Sequence, residues 1–150
     1  MDQRAFRTLA FEYLPERCCI VLYQGTEPPS DAEWDAYIGQ VQSVAHMHAK
    51  LKIFVFSERG RPSKDQQARL TEAASGHLSH VAVVSPAFAM RFVVSALSLF
   101  KPNLRFFTPE QLSEAFQHLG FDPAARLIVE QTIERMRRRI GKVASGARAG

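Results

Sequence analysis

The sequence predicts an α/β fold: a mixed, mostly parallel five-stranded sheet with flanking helices, in the order β-β-α-β-α-β-α-β-α, plus an added C-terminal helix. Three observations predict it. Leu51–Phe56 and Val81–Val84 are nearly continuous apolar runs, the pattern of strands covered on both faces. Helix starts stand between and after such runs, marked by Ser30 with Glu33, by Ser63, by Ser85–Pro86 and by Thr108–Pro109. Strands and helices in alternation call for right-handed crossovers, hence parallel neighbours. The chain has 150 residues, 46% hydrophobic and 23% charged, which suits one globular domain and argues against disorder.

Phe6–Tyr13 and Cys18–Tyr23 are β-prone runs rich in Phe, Tyr, Val and Ile. The intervening "LPER" has the length of a tight connection, so the two read as an antiparallel hairpin. Ser30 and Glu33 form a capping box opening the first helix. Trp34, Tyr37, Ile38, Val41, Val44 and Ala45 follow at three- and four-residue intervals and give it one apolar face. Ser63 caps a second helix of small apolar residues, Ala68, Leu70, Ala73 and Ala74, which Gly76 suits at its end. A third helix, 86–100, stops before Lys101–Pro102–Asn103, and Leu104–Phe107 makes the fifth strand. Thr108–Pro109 with Gln111 opens a fourth helix that closes at Gly120; Asp122–Pro123 starts a fifth, running to about Gly141. The expected division is an α/β domain over 1–121, an amphipathic basic helix over 122–143 and a disordered tail over 144–150.

The element order in a chain of this length resembles the STAS fold, the sulfate-transporter and anti-sigma-factor-antagonist domains, together with small bacterial STAS-like proteins. The resemblance covers about residues 6–121 and rests on element order. It implies a regulatory or scaffolding role. In the antagonists, the turn after the third strand carries a phosphorylatable serine within an Asp-Ser-Ser-Gly run. Here that place reads Ser57-Glu58-Arg59-Gly60-Arg61-Pro62-Ser63, and only Ser63, at the helix start, matches the family serine in position.

Three readings of this turn stand open. Arg59, Arg61 and Lys64, with Gly60, could ring an anion at the N-terminus of the second helix, where free N–H groups and the helix dipole favour negative charge. Ser57 or Ser63 could carry a phosphate steadied by those arginines. Or the turn is a polar connection with an ordinary serine cap. A nucleotide-binding P-loop is excluded, because Gly60 lacks the second glycine and the Lys-Ser/Thr pair that motif needs. Open α/β sheets collect ligands outside the carboxyl ends of their strands, here Ser57–Lys64, Ser85–Pro86 and Thr108–Pro109.

Other chemistries find little footing. Cys18 and Cys19 are adjacent, so on a strand they point to opposite faces and neither pair nor share a metal. His46 and His48 sit in a helical context, where their rings diverge by about 200°. No zincin motif, nucleophile elbow or Rossmann fingerprint occurs, and neither a metal, a cofactor nor an enzymatic activity is expected. The N-terminal stretch holds Asp2 and Arg4 where a secretory signal needs an apolar run, and the most apolar stretch is interrupted by Arg91, so a cytoplasmic location is expected. The formal charge of +4 resides in the Arg135–Arg148 stretch. No aromatics interleave with those arginines, so nucleic-acid or anionic-membrane contact is not expected.

Two helices carry more apolar surface than one sheet face can cover. In the third, Met90, Val93, Val94, Leu97 and Phe100 form one stripe, while Phe88, Phe92 and Leu99 lie on another side. In the last, Val129, Ile133, Met136, Ile140 and Val143 are spaced four, three, four, three, an a/d-type seam. Packing within the chain and pairing with a second copy or another protein are both open to that seam. The expected function is a non-enzymatic regulatory or scaffolding module that binds a protein partner, as a homodimer, through Phe88, Phe92, Leu99, Val129, Ile133, Met136 and Ile140. The alternative is a small-ligand or anion-binding domain, an enzyme included, working at the strand carboxyl ends.

Overall fold

The computed structural model describes residues 4–48, 50–73, 78–87 and 103–149. Six strands line up in chain order: β1 (Arg4–Ala5), β2 (Leu9–Leu14), β3 (Cys19–Gln24), β4 (Leu51–Ser57), β5 (Leu78–Val84) and β6 (Leu104–Phe107). The first two pairings are antiparallel and the remaining three parallel. The α/β class, the mixed sheet and the parallel neighbours Leu51–Phe56, Val81–Val84 and Leu104–Phe107 therefore stand as the sequence predicts. The sixth strand arises because the first β-prone run is broken. Phe6 N–H donates to the Leu9 carbonyl at 2.8 Å, closing a turn, and Thr8 is held there by Glu33 through its N–H and its hydroxyl, each at 2.9 Å.

The described helices are α1 (Asp31–Ala45), α2 (Lys64–Ala73), α3 (Leu112–Leu119) and α4 (Pro123–Ala149). The connection between β2 and β3 is a 3-10 turn, Pro15–Arg17, that leaves Cys18 in the left-handed region at φ 51°. Cys18 is therefore a turn residue, and β3 begins at Cys19. The helix expected from Pro109 starts as a 3-10 turn, Pro109–Gln111, and becomes α-helical at Leu112; Gly120 ends it at φ 71°. The expected third helix lies outside the described residues from position 88 onward, and with it Phe88, Phe92 and Leu99.

Strand side chains alternate between two separate cores. On one face Ile20, Leu22, Ile53, Val55 and Val83 pack under Trp34, Tyr37, Ile38, Val41 and Val44 of α1, with Leu70 of α2 alongside. On the other, Val21, Tyr23, Phe54, Ala82, Val84 and Phe107 pack under Ala115, Phe116 and Leu119 of α3 and Val129, Ile133, Met136 and Ile140 of α4. The result is an α/β/α sandwich. Val129 and Met136 are 0% and 2% exposed, so the four-three-four seam is this chain's own core. The expectation that Val129, Ile133, Met136 and Ile140 form an interaction surface is corrected accordingly. They serve the sheet because its second face would otherwise be open to water. Nor does a disordered tail begin at 144: α4 runs on to Ala149.

Two substitutions on α4 separate core from surface. Ile133→Ala, at a buried position, should lower the unfolding free energy by about 2–4 kcal/mol in a urea titration, while Ile128→Ala, at 36% exposure, should change it by about 0.5 kcal/mol or less.

Glu33 supplies a pH-dependent test of the Thr8 clamp. Burial disfavours its charge, but hydrogen bonds from Thr8 and Ser30 outweigh that and hold the carboxyl below its ordinary value. Such a group stabilises the fold above its unfolded pKa, about 4.3, and loses that contribution as pH falls through the lower folded value. Glu33→Gln should therefore be destabilised at neutral pH by about 1–3 kcal/mol. The gap to the parent should narrow in acid below about pH 4, read by thermal unfolding across pH.

Candidate functional site

The basic turn lies at the carboxyl edge of the parallel strands, as expected, but its polar groups are already occupied. Ser57 ends β4 with its side chain fully buried, and its hydroxyl donates to the Gly60 carbonyl. The N–H of Glu58 donates to the Gln24 carbonyl at 2.9 Å, and those of Arg59 and Gly60 to the Gly25 carbonyl at 3.2 and 2.8 Å. No amide of 58–60 remains to cradle an anion, and Ser57 is closed to a modifying enzyme, because the turn ties β4 to the loop after β3. These contacts do not reach the first amides of α2 or the exposed Ser63. Arg59, Arg61 and Lys64 are exposed and make no ion pair among the described residues.

Ser63 has the capping role. Its hydroxyl accepts from the Gln66 N–H at 3.1 Å, and its own N–H donates to Gln66 Oε1 at 2.8 Å. Gln66 is the residue that the sequence reading passed over. Its buried amide also donates to the Pro29 carbonyl, and its backbone carbonyl accepts from Trp34 Nε1 at 2.8 Å. The signal was present as Ser-x-x-Gln, the same capping spacing recognised at Thr108.

The acid of the turn points to the opposite face. Glu58 Oε2 accepts from the Tyr23 hydroxyl at 2.8 Å and from Arg137 Nε at 3.0 Å. Arg137 also pairs with Glu134 at 2.8 Å. Its guanidinium lies 5.1 Å from the Phe56 ring centroid and 5.8 Å from that of Tyr23. Burial and the neighbouring Glu58 carboxylate push the Tyr23 hydroxyl far above its ordinary pKa, so it keeps its proton at neutral pH.

This ion pair closes one end of a groove of about 470 Å³ between α3, α4 and the sheet. Phe54 and Phe56 form its floor; Leu112, Phe116, Leu127, Val129 and Ile133 form its walls. Glu130, Glu134, Arg137 and Arg138 bring charge to the α4 rim. From Leu127 to Arg138 the helix advances about 16 Å, so the groove runs from an apolar end to a charged one. Leu127 is 56% exposed.

The remaining candidates sit elsewhere. His48 meets the Tyr13 hydroxyl and His46 caps α1, so the His-x-His pair is not a joint ligand set. No group of three His, Cys, Asp or Glu is placed to hold a metal among the described residues. Cys19 is buried, and burial raises its thiol to about 12, which leaves it inert. None of the described helices is long and apolar enough to cross a membrane.

Fold and groove together define a three-layer α/β domain with a concave surface, aromatic at its floor and charged along its α4 rim, beside the carboxyl edge of its sheet. Comparison with protein-family models, curated proteins and solved structures finds no match to this chain.

Gly60 tests the locked turn. A Cβ there would stand 2.3 Å from the Glu27 carbonyl oxygen and 3.0 Å from that of Gly25, both backbone atoms. Gly60→Ala must force the two loops apart and should cost about 1–3 kcal/mol by urea unfolding, whereas Arg59→Ala and Arg61→Ala should each stay within about 0.5 kcal/mol.

Proposed function

We propose that this chain is a non-enzymatic binding domain that takes a small ligand with an apolar body into the α3–α4 groove. The groove carries the reading: about 470 Å³ lies within the roughly 300–1,000 Å³ of ordinary ligand sites, and its floor is aromatic. Its ionisable groups favour binding over catalysis. Arg137 holds both Glu58 and Glu134, and Tyr23 keeps its proton, so these groups are engaged with one another. The regulatory or scaffolding role that a STAS-like chain implies would then be exercised through ligand occupancy. A phosphorylated Ser57 is not needed for it. A homodimer, or any protein partner, would have to use a face other than the α4 seam.

Fluorescence titration with anilinonaphthalene sulfonate tests the groove. One saturable site is expected. Leu127→Glu places a charge on the wall and should weaken binding about tenfold or more, leaving the melting temperature nearly unchanged because Leu127 is exposed. A native protein that gives no enhancement, or an enhancement that Leu127→Glu leaves intact, would refute the assignment.

A further inference from the structure

We propose that the amino edge of the parallel sheet holds a second binding site, for a phosphate-type dianion, built on Lys52, His80 and His118. Lys52 and His80 are register partners on β4 and β5, their side chains on the face that α3 covers. His118, in the last turn of α3, brings its ring to 5.1 Å from that of His80, edge to face. Its Nε2 lies 2.7 Å from the Asn103 carbonyl oxygen. A carbonyl only accepts, so Nε2 carries a hydrogen and Nδ1 is the nitrogen that gains or loses a proton. The Lys52 ammonium sits 5.4 Å from the Phe121 ring centroid. Lys50 is exposed beside this cluster, and Arg105 on β6 lies over Phe107 at 5.6 Å.

Several arginines meet acids: Arg7 with Glu27, Arg69 with Asp31 and Asp35, Arg135 with Glu12, Arg137 with Glu58 and Glu134. Arg59, Arg61 and Lys64 at the opposite edge do not, but they follow one another along a single exposed segment, whereas this cluster brings Lys52, His80 and His118 together from three elements. Among the described residues no carboxylate ion-pairs with Lys50, Lys52, Arg105 or His118. The nearest acids along the chain are Glu114, one turn before His118 on α3 and exposed, and Asp122, which is occupied in capping α4 through the Ala125 N–H at 2.8 Å. The C-terminus of α3 contributes about half a negative charge, too little to balance three permanent cations. Burial, then the charges of His118, Lys52 and Lys50, hold the ionisation of His80 below its ordinary value. A dianion seated among these groups removes that repulsion. Cationic groups converging from β4, β5 and α3 suit a tetrahedral, multiply charged anion better than a single carboxylate.

Histidine-ring NMR reads the site directly, since His80 and His118 report their own ionisation. Titration with inorganic phosphate should shift both rings saturably, and the assignments follow from His80→Gln and His118→Gln. Sulfate keeps its charge across this range and isolates the protein's contribution: it should bind about tenfold or more tightly at about pH 6 than at about pH 8. Lys52→Gln should weaken binding about tenfold, and Lys64→Gln, at the opposite edge, should not. Should Lys52→Gln fail to fold, the exposed pair Lys50→Gln and Arg105→Gln must show the weakening instead. No saturable shift, or an equal shift with chloride at matched ionic strength, overturns the proposal. Phosphatidic acid vesicles separate two sources of the same chemistry. Co-sedimentation competed by phosphate assigns a lipid headgroup, and absence of co-sedimentation assigns a soluble phosphate.

Discussion

Val21, Tyr23 and Phe54 leave the sheet on the side opposite Ile20, Leu22 and Ile53, and water has to be kept from both sets. Each fully buried large side chain is worth roughly 1.5–3 kcal/mol, so neither face can be left bare in a domain of this size. The crossover helices α1 and α2 cover one side, because right-handed connections between sequential parallel strands return to the same face. Among the described residues, the other side is covered by chain that follows the last strand, α3 and α4. The length of α4 and its alternating three- and four-residue apolar spacing answer the same requirement: one long helix laid over β2 and β3, with Arg135 reaching Glu12 at 2.9 Å to fix its angle.

This constraint explains what was legible in the sequence. Continuous apolar runs announce a two-faced sheet, and the caps at Ser30, Ser63, Thr108 and Asp122 announce where the described helices begin; these local signals held. The seam of Val129, Ile133, Met136 and Ile140 was equally visible, but a seam does not say what it faces. A sheet face and a second copy of the chain demand the same spacing. The choice between them depends on which other face of the sheet lacks cover, and that is known only once all six strands are placed. The break at Phe6–Leu9 was illegible for a related reason. Nothing in a run of β-prone residues reveals that Thr8 will be clamped by a glutamate 25 positions away.

The basic turn shows the limit of composition as a guide to chemistry. Arginines, a glycine and two serines at a helix start have the makings of an anion site. What decides is where the amides point. Here the loop following β3 comes so close that Gly60 has no room for a side chain, and the carbonyls of Gln24 and Gly25 take up the N–H groups of residues 58–60. The acid of the turn, by contrast, pairs with Arg137 across 79 positions of sequence. It thereby joins the carboxyl edge to α4, and the concave surface forms beside that joint. The groove was not readable because its two walls, α3 and α4, could only be set apart by the sheet beneath them.

The distribution of charge along the strands then follows from the same architecture. At the carboxyl edge the loops are long enough to bring acids to arginines, as Glu27 meets Arg7 and Glu58 meets Arg137. At the amino edge the cations come from strand starts and a helix end, positions fixed by register. Lys52 lies opposite His80 because β4 and β5 pair as they do, and His118 lies beside them because α3 ends over those strands. Rings of Phe121 and Phe107 support the flanking cations by cation–π contact, each worth roughly 0.5–1 kcal/mol at such exposed sites, without neutralising them. Cations that are propped by rings and not paired with acids leave a field directed out of the amino edge, and an anion is what such a field attracts.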